Sequence, residues 1–145
     1  MARTVGLAGT TARTIAKRPP RLLIIAGATA TGKSTVAMTI GAKSKFARLI
    51  STDAIREILR STDEDHANPA LHRSSFSIGD SNDAIIDWVD TCKAVEQGID
   101  ATINRAMREG IDLLIEGVHI IPSDRLIRNW IESGGIAVGV IMAVS

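Results

Sequence analysis

The amino-acid sequence predicts a three-layer α/β fold, in which helices cover both faces of a mostly parallel β-sheet. Four short apolar runs alternate with segments of helical periodicity along the 145 residues. Strands and helices that alternate in this way are joined by right-handed crossovers, which makes the strands parallel. A glycine-rich loop separates the first apolar run from the first helix, and acidic residues stand at or just beyond the ends of the second and third runs. Ligands of parallel sheets bind at those carboxyl ends.

The elements follow from apolar patterning and from Gly and Pro punctuation. The predicted strands cover residues 21–27, 47–51, 112–116 and 136–144. The predicted helices cover residues 33–45, 54–60, 82–109 (with a bend near residue 98) and 122–132. Residues 61–81 are polar and irregular, and a loop of this length in a compact domain is usually functional or mobile. Residues 1–20 form an N-terminal tail that ends in Pro19-Pro20, so we expect one domain over residues 21–145.

Residues 27–34, with the sequence GATATGKS, match the phosphate-binding loop pattern G-x-x-x-x-G-K-[ST]. Glycine at both ends lets the loop curl with its N–H groups pointing inward, and the following helix adds the partial positive charge of its N-terminus. In this pattern the lysine reaches the β- and γ-phosphates of a nucleotide, and the next hydroxyl ligates Mg²⁺. The flanking strand and helix argue against a chance match, and the sequence therefore predicts a P-loop NTPase fold. The predicted nucleotide-binding residues are Gly27, Ala28, Thr29, Ala30, Thr31, Gly32, Lys33, Ser34 and Thr35.

Two carboxylates are candidates for the chemistry beside this loop. Asp53 follows the second strand, where it can accept a proton from a hydroxyl that attacks the γ-phosphate or hold Mg²⁺ through water. The alternative interpretation is a simple helix N-cap. Glu116 ends the third strand, at the position of the second magnesium carboxylate in P-loop proteins. We therefore predict Lys33 and Asp53 as catalytic residues, and Ser34, Asp53 and Glu116 as magnesium ligands.

The predicted binding site for an anionic substrate lies around the helix after Asp53. Arg56 and Arg60 share a face with that carboxylate, and an Arg can clamp an anion bidentately, although either can instead pair with Glu57. The segment of residues 72–75, HRSS, can supply anion contacts or be an ordinary solvated loop. His119 can contact a phosphate or be a structural histidine. The remaining predicted substrate-binding residues are Ser74, Ser75 and His119.

Composition excludes several classes of protein. The net charge is +1 and aromatic residues make up 3% of the chain, so neither a general basic field nor a base-stacking platform predicts nucleic-acid binding. No apolar run approaches the ~20 residues that cross a bilayer. Cys92 is the single cysteine, which rules out an intrachain disulfide and suits a reducing cytoplasm. All sixteen acidic residues follow residue 52, so the basic first part suits an anionic ligand.

Five segments together resemble the 2-phosphoglycerate kinase family, a family of P-loop kinases. They are GATATGKST, ISTDAIREILR, HRSSF, CKAVEQGIDATINRAMREG and LLIEGVHIIP, and the resemblance runs from about Leu22 to Pro122. It implies ATP-dependent phosphorylation of the hydroxyl of a small phosphorylated acid, 2-phosphoglycerate, to give 2,3-bisphosphoglycerate. It also implies that Lys33 and Ser34 hold ATP and Mg²⁺, that Asp53 is the base or organises the metal, and that Arg56 binds the substrate.

The resemblance also implies a further segment that would follow Ser145. Members of the family carry a further segment with an arginine-bearing lid and the adenine-binding end, so we expect the domain to be incomplete at its C-terminus. Two alternatives to this enzyme stay open. One is a nucleotide-binding module without catalysis. The other is a P-loop kinase whose acceptor is a nucleoside, a sugar acid or a protein hydroxyl.

Overall fold

The computed structural model describes residues 18–74, 79 and 81–144. The predicted strands and helices are all present, with ends that differ by a few residues. In chain order the elements are β1 (Arg21–Gly27), α1 (Lys33–Lys43), β2 (Arg48–Ser51), α2 (Thr52–Thr62), α3 (Pro69–His72), α4 (Ala84–Glu109), β3 (Leu113–Gly117), α5 (Asp124–Glu132) and β4 (Ile136–Met142).

The four strands form one parallel sheet in the order β2-β3-β1-β4. The register places Ser51 of β2 opposite Glu116 of β3, and Ala26 of β1 opposite Gly117. Because the strands are parallel, the loops that follow β1, β2 and β3 all leave from the same edge of the sheet. This confirms the predicted α/β class and brings the candidate site residues to one place.

Alternate residues of the central strands face two different layers. On one face Ile24 and Ile115 belong to a core cluster with Val95 and Ile99 of α4 and with Trp130 of α5. On the other face Ile25 and Leu114 pack with Ala37 of α1. The central strands are therefore buried on both sides, which explains why they read as continuous apolar runs.

The longest helix, α4, runs from Ala84 through Gly98 to Glu109 without interruption. A Cβ atom at Gly98 would lie 2.4 Å from Ile55 Cγ2, and the glycine is therefore explained by the close approach of α2.

Within the part of the chain that the structure describes, no helix combines the length and the apolar character needed to cross a bilayer.

Residues 61–74 of the polar segment form more regular structure than their composition predicts. α2 continues to Thr62, and Asp63 then binds the following turn: its carboxylate accepts from the Asn68 N–H at 2.9 Å, from the Ala67 N–H at 3.0 Å and contacts His72 Nε2 at 3.0 Å. The Asn68 bond, together with the His72 contact, holds the pKa of Asp63 below its ordinary value despite partial burial. Side-chain bonds to the backbone thus order α3.

Asp112, just before β3, binds the residues at the start of β1. Its carboxylate accepts the Arg21 backbone N–H at 2.7 Å, the Arg21 guanidinium at 2.7 Å and the Arg18 guanidinium at 2.6 Å. Burial alone would raise the pKa of Asp112, but these bonds outweigh it and hold the pKa below its ordinary value. The Pro20 carbonyl also accepts from Trp130 Nε1 at 3.1 Å, so residues 18–20 of the predicted tail contact the domain.

Replacing Asp112 with Asn is expected to lower the free energy of unfolding by about 1–3 kcal/mol at pH 7, since several charge-assisted bonds weaken together. Because the folded-state pKa is depressed, the stabilisation is present above the unfolded pKa of about 3.9 and is lost as pH falls through the folded value. Urea unfolding at a series of pH values measures the difference, which should shrink in acid. D90N, which removes a carboxylate 3.8 Å from Lys93, is the control and should change stability little. Equal losses in both variants would contradict the prediction.

Candidate active site

The glycine-rich loop after β1 has the backbone geometry that its sequence predicts. Gly27 has φ 151° and Gly32 has φ 79°, values that favour glycine. A Cβ atom at Gly27 would also lie 2.4 Å from the Met142 carbonyl oxygen, so β4 restricts this position. Lys33 begins α1, and its buried Nζ donates to the Ala28 carbonyl oxygen across the loop. The lysine head group therefore lies within the curve of the loop.

Ser34 and Glu116, two of the predicted magnesium ligands, are in direct contact. Ser34 Oγ donates to Glu116 Oε1 at 3.2 Å, although 82 positions separate the residues in sequence. Both line a cavity of about 250 Å³ together with Lys33 and Asp53. A hydroxyl and two carboxylates are hard oxygen donors, the type that Mg²⁺ prefers. The residues present at this edge of the sheet fit the metal that the motif implies.

Asp53 lies in the first turn of α2, and its carboxylate is free of the capping role. Ser51 is the N-cap residue, and its side chain accepts from the Ala54 N–H at 3.1 Å. The Asp53 side chain is 75% exposed. A negative charge at this position is favoured by the positive end of the helix dipole. The simple-cap interpretation of Asp53 is therefore wrong.

Behind Asp53 lies His119, in the loop after β3. The residue is 3% exposed, and its Nδ1 has no hydrogen-bond partner among the described residues. Asp53 Oδ1 is 3.9 Å from that nitrogen. Burial, and then the charge of Arg56, lower the pKa of His119, while Asp53 opposes the shift. Burial thus disfavours the imidazolium form of His119.

A close contact between Thr52 and Gly117 fixes α2 against the end of β3. Thr52 is fully buried, and a Cβ atom at Gly117 would lie 1.8 Å from its Oγ1. The contact sets the distance between Asp53 on one side and Glu116 and His119 on the other. Neither Thr52 nor Gly117 belongs to the predicted site. The sequence signal that could have found them is a glycine directly after a strand-end acid, where backbones approach closely.

A second cavity, of about 440 Å³, opens on the other side of Asp53. Asp53 lines it together with Arg56, Glu57, Arg60, His72, Arg73 and Ser74. Arg56 Nε donates to the Leu71 carbonyl at 3.1 Å, and the same guanidinium donates to the Arg73 carbonyl, so Arg56 binds the α3 turn. Arg60 pairs with Glu57 at 2.8 Å on the exposed face of α2. Of the two serines predicted here, Ser74 lies on the wall and Ser75 lies outside the described residues.

Arg73 is held in place by Asp87, a buried acid on α4. Asp87 Oδ1 lies 3.0 Å from Arg73 Nη1 and also accepts from Ser81 Oγ at 2.8 Å. The Ser81 bond, with further bonds from Gly79 and the charge of Arg73, holds the pKa of Asp87 below its ordinary value although partial burial opposes this. Asp87 is spaced by multiples of four residues from the buried Val95 and Ile99, so it lies on the same face of α4. An acid at such a position is a sequence signal of a buried ion pair.

The parallel sheet, the glycine loop between β1 and α1, and the serine–acid contact beside them define an α/β P-loop fold. A solved structure of a kinase candidate from Chloroflexus aurantiacus superposes with a TM-score of 0.55 at 18% identity, over 89% of this chain and 62% of that one. At this level of identity the likeness shows the fold alone.

Sequence relatives are more specific, and they confirm the predicted resemblance. The 2-phosphoglycerate kinase of Methanopyrus kandleri is 35% identical over 127 residues, which are 82% of this chain and 38% of the relative. That of Thermococcus kodakarensis is 36% identical over 118 residues, 76% of this chain and 41% of the relative. The chain thus spans about two fifths of the length of these curated relatives. A scan of protein-family models finds no match.

Replacing Gly117 with Ala is expected to lower the free energy of unfolding by about 1–3 kcal/mol, because the new methyl group overlaps Thr52 and overpacks the contact. Urea unfolding measures the loss. G41A is the matched control, since its Cβ would meet the flexible end of Leu49 at 3.2 Å and alanine favours a helix. A G117A variant as stable as G41A would show that α2 and β3 separate at little cost.

Proposed function

We propose that this chain binds ATP with Mg²⁺ at the glycine loop and transfers the γ-phosphoryl group to the hydroxyl of a small anionic acceptor. The proposed acceptor is 2-phosphoglycerate, and the product is then 2,3-bisphosphoglycerate. The observation that carries the proposal is the position of Asp53, which lines both the phosphate-loop cavity and the arginine-lined cavity. A carboxylate between a phosphoryl donor and an anionic acceptor is placed for proton abstraction.

The donor side of the site rests on the loop, Lys33 and the α1 N-terminus. Loop N–H groups and the helix dipole bind phosphate oxygens, and the Lys33 ammonium pairs with the β- and γ-phosphates. Ser34 and Glu116 are the residues that would hold the metal, and Asp53 would reach it through a bound water. When bound, Mg²⁺ neutralises charge on the β- and γ-oxygens.

The acceptor side rests on the guanidinium groups of the second cavity. Three arginines line it, Arg56, Arg60 and Arg73; Arg60 pairs with Glu57, and Arg73 pairs with Asp87. Guanidinium N–H groups suit an acceptor that carries a phosphate or a carboxylate, and 2-phosphoglycerate carries both. An Arg fork binds either group bidentately. The names of the sequence relatives support the same acceptor.

Asp53 is the proposed general base. The acceptor's hydroxyl oxygen forms a bond to the γ-phosphorus, and the bond from that phosphorus to the β–γ bridging oxygen breaks, so that ADP leaves. The hydroxyl proton passes to the Asp53 carboxylate. Catalysis of this kind depends chiefly on positioning and on stabilisation of charge by the surrounding residues.

A second candidate function is a nucleotide-binding module without catalysis. Among the residues that line the phosphate-loop cavity, Lys33 is the one cation. Phosphoryl transfer usually requires further positive charge around the transferred group. Tight ATP binding without turnover is the result that favours this candidate.

An ADP-release assay over a panel of acceptors tests the proposed reaction. We expect turnover with phosphorylated three-carbon acids, highest with 2-phosphoglycerate, because the arginine-lined cavity offers guanidinium forks to a phosphate and a carboxylate on one small acceptor. The panel includes 3-phosphoglycerate, glycerate, a nucleoside and a sugar acid as comparisons. Equal activity on uncharged hydroxyl acceptors would contradict the acceptor, and ATP binding measured by calorimetry without turnover on any of them would support the second candidate.

Two substitutions separate binding from chemistry. D53N is expected to lower kcat by about 10²- to 10⁴-fold, the usual contribution of a general base, while ATP affinity changes little. K33M is expected to weaken ATP binding itself, because the ammonium pairs with the phosphates. Steady-state kinetics and calorimetry measure both. D90N on α4 and K43M on α1 are the matched controls, since neither residue lines a described cavity of the site. Unchanged turnover in D53N would reject the base role.

A further inference from the structure

The buried nitrogen of His119 is the least explained polar atom of the site. Its Nδ1 is one of two buried side-chain nitrogen or oxygen atoms without a hydrogen-bond partner among the described residues; the other is Thr52 Oγ1. Buried polar groups are almost always bonded, so an exception beside a candidate active site calls for a functional explanation. The nearby acceptor is the Asp53 carboxylate, whose Oδ1 lies 3.9 Å away.

We propose that His119 is a positioning residue for the catalytic base: its Nδ1–H donates to one carboxylate oxygen of Asp53 and leaves the other oxygen to take the acceptor's proton. The inference rests on the proposed kinase function. It assigns to His119 a role through Asp53, in place of the direct substrate contact that the sequence suggests. A side chain that is only 4% exposed has little surface to offer a substrate.

The histidine is the fixed partner of the pair. The two residues before it are held in place: Gly117 packs against Thr52, and the Val118 carbonyl accepts from Trp88 Nε1 at 2.8 Å. His119 itself is 3% exposed, and a closely packed side chain keeps one orientation.

Asp53 is the movable partner. Its side chain is 75% exposed and lies in the first turn of α2, so rotation about its side-chain bonds meets little resistance. A movement of about 1 Å brings the two atoms from their present separation to normal hydrogen-bond distance. We expect the hydrogen bond to form when the acceptor binds in the adjoining cavity, because catalytic hydrogen bonds commonly tighten only in the substrate complex.

Geometry favours this arrangement over a direct phosphate contact. Asp53 Oδ1 is the acceptor near Nδ1, and His119 is not among the residues that line the phosphate-loop cavity or the arginine-lined cavity. Nδ1–H serves as the donor to Asp53 whether or not Nε2 is also protonated.

The test compares two amides that mimic different ring nitrogens. The side-chain amide of Asn overlays Nδ1 of histidine, while the longer Gln side chain overlays Nε2. H119N is therefore expected to keep kcat within a few-fold of wild type, whereas H119Q and H119A lose about 10- to 100-fold, as supporting hydrogen bonds to catalytic groups commonly do. The KM for ATP and for 2-phosphoglycerate should stay near wild type in all three variants.

A double-mutant cycle and a spectroscopic measurement complete the experiment. In the D53N background, H119Q should cause no further loss of kcat, because the group that it positions is already inactive. The ¹⁵N chemical shift of His119 Nδ1 in the full chain with 2-phosphoglycerate added should change on D53A if the bond exists. This signal does not depend on turnover, so it tests the pair even where the kinase activity fails.

Several results would overturn the proposal. H119N as inactive as H119A, with melting temperature and ATP binding unchanged, would exclude a role for the Nδ1 donor. A rise in the KM for 2-phosphoglycerate alone would restore the direct-contact role. A Nδ1 shift that is insensitive to D53A would show that the two side chains do not bond.

Discussion

The pairing of β1 with β3 is the constraint on which the site depends. It sets Ala26 opposite Gly117, so the glycine loop leaves β1 beside the point at which β3 ends. The Ser34–Glu116 hydrogen bond follows from this register. A shift of one residue would turn Glu116 to the opposite face of the sheet, because neighbouring residues of a strand point in opposite directions.

Most charged residues around the site hold the fold together, whereas Asp53 is placed for the proposed chemistry. Hydrogen bonds hold the pKa of three acids below its ordinary value: Asp87 chiefly through the Ser81 hydroxyl, Asp63 chiefly through the Asn68 N–H, and Asp112 through Arg21 and Arg18. Arg56 donates to two carbonyls of the α3 turn, which shapes the acceptor cavity as well as charging it. Asp53 differs from the three structural acids in its exposure and in its place between the two cavities.

Much of the fold could be predicted because its signals are local. Apolar runs predicted the strands, and the loop motif predicted the bend after β1. Asp53 and Glu116 could be placed together because the carboxyl ends of parallel strands share one edge. The order around α3 could not be predicted, since it depends on Asp63 binding backbone N–H groups up to five residues away. The position of His119 against Asp53 depends on tertiary packing of Gly117 on Thr52, for which the sequence offers only the glycine after the strand-end acid.

The long sequence separation within the β1–β3 pair has a kinetic consequence. Arg21 meets Asp112 across 91 positions, so the chain must close a loop of nearly the length of a small domain before the sheet forms. Closing such a loop costs entropy before any contact compensates, and high contact order slows folding. The Ser34–Glu116 contact is absent until this closure is complete. A ligand that bridges these two residues would consequently slow global unfolding, because its site is lost whenever β1 and β3 separate.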